Sequence, residues 1–446
     1  MGFNEWNSAF LYGTDLLIFA LLVLWFLRQS TFYAISQNVD SRSKIIFSNY
    51  DWFLVGFLAV SAISISNTSN QILGLYQLLK LAEFSLLYFY LKSGGFGFKD
   101  LKVAFGIWLA SGFFQAALAI FQYIRQADLG LRFLGETVLS PDLFNVAIFL
   151  VNGEKILRPY GTTPHPNVLA LFLFMALFAY YFYCFVCRET RQLQNNNPAP
   201  FGDKLIESKN TEAARRDILK IKQWKKNFDP EWCWGTSIIG LIMYGVLLFS
   251  FFLTFSRTII FVWAAACLIL FFRNVKKEQI KRLAMTTILV IAIFSILFWP
   301  QVMARLGISF QEEAVSLRGF YNKAAFLEKP FFGVGLGNFV NWFKEINPGL
   351  AQNLYQPVHN IYLLIFSETG ILGLAAFLLF LIFMAKSYLS VKVNQPFYYS
   401  FFIIFLSLLF FGLFDHFLWT LQQGQIIFWL MLGLISRVPI AQLDRA

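Results

Sequence analysis

The feature that most constrains this chain is the recurrence of apolar stretches near or above the roughly 17 residues needed to cross about 30 Å of hydrocarbon. They lie near residues 10–27, 52–66, 72–92, 103–124, 166–186, 237–255, 258–272, 284–300, 361–385, 397–418 and 424–436. Within lipid the backbone must satisfy its own hydrogen bonds, so the expectation is an all-α, polytopic transmembrane protein of about eleven spans (ten to twelve). Charged residues make up 14% of the chain, against about a quarter in soluble domains, and 58% of residues are hydrophobic. Residues 1–446 read as one membrane domain. The first span lacks a basic n-region and a small-x-small cleavage site, so it reads as a retained helix.

The formal net charge of +11 is explained by placement rather than by nucleic acid. Of the 36 Lys and Arg, 25 fall in one set of segments: Arg28 to Lys44, Lys92 to Lys102, Arg188 to Lys226, Arg273 to Arg282, Lys386 to Lys392, and the tail with Arg437 and Arg445. The positive-inside rule makes these segments cytoplasmic, with the N-terminus outside and the C-terminus inside. Cys184, Cys187, Cys233 and Cys267 lie in or beside spans, with neither the spacing of a zinc site nor the setting of a disulfide framework.

Two segments outside the spans are long. Residues 187–235, with an Asn run, read as a polar cytoplasmic insertion in which Asn210 to Lys226 has the composition of a basic surface helix. Residues 301–360 read as an outer-face loop between the eighth and ninth spans. It carries a helix-like stretch, Glu312 to Lys329, with Leu317, Phe320, Tyr321, Ala324 and Leu327 at helical spacing. The "GVGLGNF" run at 333–339 lacks dinucleotide-fingerprint spacing and reads as a tightly turned loop. A shorter outer segment spans 125–165.

Basic residues on the outer face call for a reason. Arg257, in the turn "LTFSRTIIF", either snorkels to head groups or holds an anion, because a guanidinium fork matches phosphate oxygens. Arg158 opens "LRPYGTTPHPNVLALFLF", where His165 and Asn167 sit at the start of the fifth span and Pro166 suits its first turn. His359 enters the membrane in "HNIYLLIFSETGILGL"; histidine is the side chain best suited to take a proton near neutral pH. His416 beside Asp415 is a weaker candidate. Lys80 and Glu83, three residues apart inside the third span, read as a structural ion pair.

Three islands, "LRPYGTTPHPNVLA", "LTFSRTIIFVW" and "SLRGFYNKAAFLEKPFFGVGLGNF" continuing to "HNIYLLIFSETGILGL", resemble the O-antigen ligase and O-antigen polymerase superfamily of bacterial membrane glycosyltransferases. The resemblance covers about residues 150–434. The ligase pattern of His, then Asn, Ser or Gln, nine residues, Gly, two residues and Gly is met by His359, Asn360, Gly370 and Gly373; Leu374 stands where ligases often have Thr or Val. The resemblance implies transfer of a glycan from an undecaprenyl-pyrophosphate carrier to an acceptor hydroxyl on the outer, periplasmic face of the inner membrane, without metal or nucleotide. The acceptor is a glycan, lipid or protein. It also implies that Arg158 and Arg257 hold pyrophosphate and that His359 is the general base, with Arg318, His165 and Asn360 in support. The 301–360 loop becomes a lid over this site. A polysaccharide polymerase uses the same carrier chemistry. A lipid-linked sugar transporter would instead lean on Lys80 and Glu83 near the midplane.

Overall fold

The computed structural model describes residues 11–35, 47–93, 98–196, 237–274, 278–307, 313–326, 331–390 and 396–437. A helix occupies each apolar stretch: α1 (Gly13–Ile35), α2 (Asp51–Ser64), α3 (Gln71–Lys92), α4 (Phe98–Arg125), α5 (Pro166–Asn196), α6 (Ile238–Leu253), α7 (Arg257–Asn274) and α8 (Glu278–Leu297). The segment after α8 then contributes α9 (Trp299–Leu306), α10 (Glu313–Phe326) and α11 (Phe339–Ile346), before α12 (Ile361–Leu389), α13 (Pro396–Phe411), the single turn α14 (Phe417–Thr420) and α15 (Gln422–Arg437). Five of these helices, within α3, α4, α5, α8 and α12, are long and apolar enough to cross a membrane. The chain is a helical, multi-pass membrane protein. The basic helix expected at 210–226, and Cys187 and Cys233, lie outside the described side chains; Cys184 and Cys267 are in no disulfide.

The residues gather into two compact units, one of Met1–Phe98, Arg257–Ala266 and Arg305–Ala446, the other of Lys99–Ser256 and Cys267–Ala304. In the first, α2 lies along α12 and α3 along α15. Aromatic rings fill the seams: Phe57 meets Phe377 at 5.3 Å and Trp419 at 5.8 Å, and Phe53 stacks on Phe383 at 5.2 Å.

Helix α12 is broken at Gly370, whose φ is +72°. The "GVGLGNF" run enters the break: Val334 N–H donates to the Ser367 carbonyl at 2.8 Å and Gly335 N–H to the Glu368 carbonyl at 2.9 Å. These bonds satisfy carbonyls that a continuous helix would have paired internally. A side chain at Gly370 would collide with the Phe331 carbonyl, while Gly333, Gly335 and Gly337 all take positive φ. The expected tight turn is present, stitched into a helix.

Two buried ion pairs differ from their sequence readings. Lys92, counted above among loop charges, is the last residue of α3 and fully buried; it pairs with Asp51 at the start of α2, and Tyr88 donates to the same carboxylate at 2.6 Å. Asp51 offsets the cost of burying the ammonium. Lys80 does approach Glu83, at 3.6 Å, but its close ion pair is with Asp15 of α1, and it donates to Gln422 of α15 at 3.1 Å. Spacing within one helix shows only local partners; Asp15 and Gln422 come from elements distant in sequence.

In the second unit α6 packs between α5 and α8, and α5 is the most buried of the five long spans. The 125–165 segment forms an antiparallel hairpin of β1 (Ile148–Val151) and β2 (Glu154–Leu157). Its turn is Asn152-Gly153, both at positive φ, the dipeptide that favours a two-residue hairpin. That signal was present in the sequence and went unread. The helix expected from Glu312 to Lys329 is observed as α10; Tyr321 and Ala324 of its stripe are buried, Phe320 is exposed, and Leu327 lies outside the described residues.

Candidate active site

His359 sits at a bend just before α12, where Asn360 N–H donates to the Val358 carbonyl at 2.8 Å. Asn360 caps α12, its Oδ1 accepting from the N–H groups of Tyr362 and Leu363 at 2.9 and 3.0 Å, and Ile361 N–H donates to the Gly412 carbonyl at 2.8 Å. Asn360, expected as a supporting site residue, therefore works as a helix cap, a use its position before an apolar run allows. The His359 ring lies nearly parallel to Tyr321 of α10 at 6.1 Å and edge-on to His416 at 4.9 Å. Tyr321 is itself tied down, donating to the Leu354 carbonyl at 2.6 Å. Burial pushes its phenol up to about 12, so it is an uncharged wall.

The electrostatics around His359 are mixed. Part of the residue is exposed, but Nδ1 is enclosed and has no hydrogen-bond partner among the described residues. Burial lowers the pKa below the ordinary 6.5; the Asp415 carboxylate raises it, the Arg318 guanidinium lowers it further, and a bond to the Pro357 backbone raises it. The result is an imidazole that is neutral near pH 7, with a carboxylate close enough to stabilise its charged form. His416 is held by the same corner: its N–H donates to Asp415 Oδ1 at 2.9 Å and its Nδ1 lies 2.7 Å from Thr420 Oγ1. It belongs to the turn before α14 rather than to the end of the tenth span, because α13 stops at Phe411.

The remaining candidates divide between the two units. In the first, Arg257 is the first residue of α7 and its guanidinium donates to the Arg305 carbonyl at 3.4 Å. Arg318 lies on α10, one helical turn before Tyr321. Lys80 and Glu83 belong to the Asp15 and Gln422 cluster described above.

In the second unit, Arg158 is buried. It donates to the Thr254 carbonyl and to Asn167 Oδ1, both at 2.8 Å, while Ser256 Oγ donates to the same Asn167 oxygen at 3.0 Å. His165 caps α5, its Nδ1 accepting from Asn167 N–H at 3.1 Å. Gln122 of α4 fixes this loop, accepting from the N–H groups of Tyr160 and Gly161 at 2.9 and 2.8 Å and donating to Glu136 at 2.7 Å. Arg158 and His165 thus have structural duties within their unit.

Sequence reading missed three residues around these candidates. Asp415 entered only as a neighbour of His416, although it acts on His359. Glu368, buried in α12, faces the backbone N–H groups of Gly337 and Phe339 and the Trp419 indole; an acid inside an apolar span was the available signal. Gln422 gave no signal.

The family model described as O-antigen ligase matches residues 242–378. That range holds Arg257, Arg318, His359, Asn360 and the Gly370 break. No curated protein matches the chain.

Proposed function

We propose that this chain, which matches the family model described as O-antigen ligase over residues 242–378, transfers a glycan from an undecaprenyl-pyrophosphate carrier to an acceptor hydroxyl on the outer face of the bacterial inner membrane. The observation that carries the reading is His359: a largely buried imidazole between Tyr321 and His416, with the Asp415 carboxylate acting on it. His359 takes the acceptor proton as the acceptor oxygen bonds to the anomeric carbon. The bond from that carbon to the carrier's phosphate oxygen breaks, and its electron pair leaves with the pyrophosphate. Asp415 stabilises the imidazolium that forms. The developing charge on the leaving group needs cations, the role proposed for Arg257 and Arg318.

A purified-protein assay with a lipid-pyrophosphate glycan and no ATP tests this. A positioned base contributes about 10² to 10⁴ in rate, so His359→Ala is expected to lose transfer by that factor while its membrane level stays normal. Arg257→Ala is expected to lose transfer as well; transfer retained in either variant overturns the assignment. The glycans of a deletion strain separate ligase from polymerase: long carrier-linked chains with bare acceptor mark lost ligation, and single repeats on acceptor mark lost polymerisation.

A further inference from the structure

The segment between α4 and α5 turns large apolar side chains away from the protein. Phe133 is 81% exposed, Phe144 80% and Leu150 61%, and Leu134 and Leu143 are exposed as well. A set of this size outside the spans marks a surface with a partner. The backbone under it is held in place. Asp128 N–H donates to the Leu139 carbonyl at 3.3 Å and Leu139 N–H to Asp128 Oδ1 at 3.1 Å, while the buried Glu136 carboxylate accepts from the N–H groups of Leu129 and Leu131 at 2.8 and 2.6 Å. These bonds close residues 128–139 into one loop with Phe133 at its tip. In the hairpin, Leu150 stands opposite Lys155, so both side chains leave the same face. Lys155 Nζ reaches Asp142 Oδ1 at 3.0 Å, which brings the turn carrying Leu143 and Phe144 to that face.

Depth identifies the partner. At about 1.5 Å of rise per residue, Gln122 lies about 30 Å along α4 from Lys102, the thickness of the hydrocarbon core. Gln122 donates to Glu136 at 2.7 Å, and Gln126, just past the helix end, accepts from Leu157 N–H at 2.7 Å. Loop and hairpin are therefore fastened to α4 at the level where hydrocarbon gives way to head groups, and there Phe121 and Ile124 of α4 are exposed too. Phe133 is three residues from Glu136, at most about 10 Å of chain. The β1–β2 ladder and the loop's own bonds pair the backbone groups that lipid cannot satisfy.

We propose that Phe133, Phe144 and Leu150 seat this segment in the bilayer, at the boundary between head groups and acyl chains, as a contact separate from the spanning helices. Phospholipid fits better than a protein in the aqueous phase, because the apolar side chains stand at head-group depth and Arg132, exposed beside Phe133, suits the phosphates. This seat does not depend on the transferase reading.

In the test, the photo-crosslinking residue p-benzoylphenylalanine replaces Phe133, Phe144 or Leu150, one at a time. The full-length protein is reconstituted into vesicles of dioleoyl phosphatidylglycerol and dioleoyl phosphatidylcholine and irradiated. Replacement of Phe121 on α4 is the positive control, and replacement of Asn197, in the polar 187–235 segment, sets the background. Each of the three variants is expected to gain the mass of one phospholipid, in a yield comparable to Phe121 and well above Asn197. A variant that fails to fold is replaced by one at Leu143, on the same turn as Phe144. Lipid adducts at fewer than two of the three positions, or crosslinks to a second copy of the chain in their place, overturn the proposal. Irradiation of intact producing cells tests for a partner lost on purification: a crosslink to another protein at Phe133 or Phe144 in place of lipid overturns it as well.

Discussion

The neighbours of His359 push its proton affinity in opposite directions, and that opposition is measurable. Since burial holds its pKa below 6.5, transfer should be lost as pH falls through a midpoint under 6.5 and should plateau above it. Asp415 raises the pKa and Arg318 lowers it. Asp415→Asn is therefore expected to move the acid limb of the kcat/KM profile to lower pH, and Arg318→Met to move it to higher pH. Limbs that stay fixed in both variants would mean that another group controls the profile. His359 itself was legible in the sequence because a histidine at a span boundary is rare and sits in a recognisable pattern. Asp415 was not, because nothing local in "FDHF" shows that a chain reversal near residue 412 brings it back to the start of α12. The same limit hid Asp15 behind Glu83 as the closer partner of Lys80.

At the scale of elements, periodicity and apolar length located every helix of the eleven stretches, since each signal is carried by consecutive residues. What they missed depended on exceptions: the hairpin announced by two residues, and the break in α12 at one glycine. The break should be sensitive to a single methyl group. Gly370→Ala combines a positive φ with a collision against the Phe331 carbonyl, and strain of this kind costs about 1 to 3 kcal/mol. Thermal unfolding in detergent is expected to show a lowered midpoint together with lost transfer. Gly319→Ala in α10, where an added Cβ meets nothing within 4 Å, is the control and should leave the midpoint unchanged or stabilise by about 0.5 to 1 kcal/mol. The pair between α2 and α3 makes a second test. Removing one member of a buried ion pair costs about 3 to 5 kcal/mol, so Lys92→Met alone should destabilise strongly, and adding Asp51→Leu should recover much of the loss.

For the whole molecule, the distribution of basic residues predicts which ends and loops face the cytoplasm. A reporter active only outside the inner membrane is expected to work when inserted near Gly349, between α11 and α12, and to stay silent when fused after Ala446. The opposite pattern would invert the topology and remove the outer-face reaction. The 301–360 loop has a second role, set by its bonds. Residues 334–335 complete the hydrogen bonding of α12 at the level of Ser367 and Glu368, and exposing those carbonyls unpaired in a dry interior costs about 1 to 3 kcal/mol each. That part of the loop is an anchor rather than a lid. Any movement that admits a lipid-borne substrate has to pivot around it, so the helix that presents His359 and the 334–335 segment are expected to travel as one body while substrates come and go.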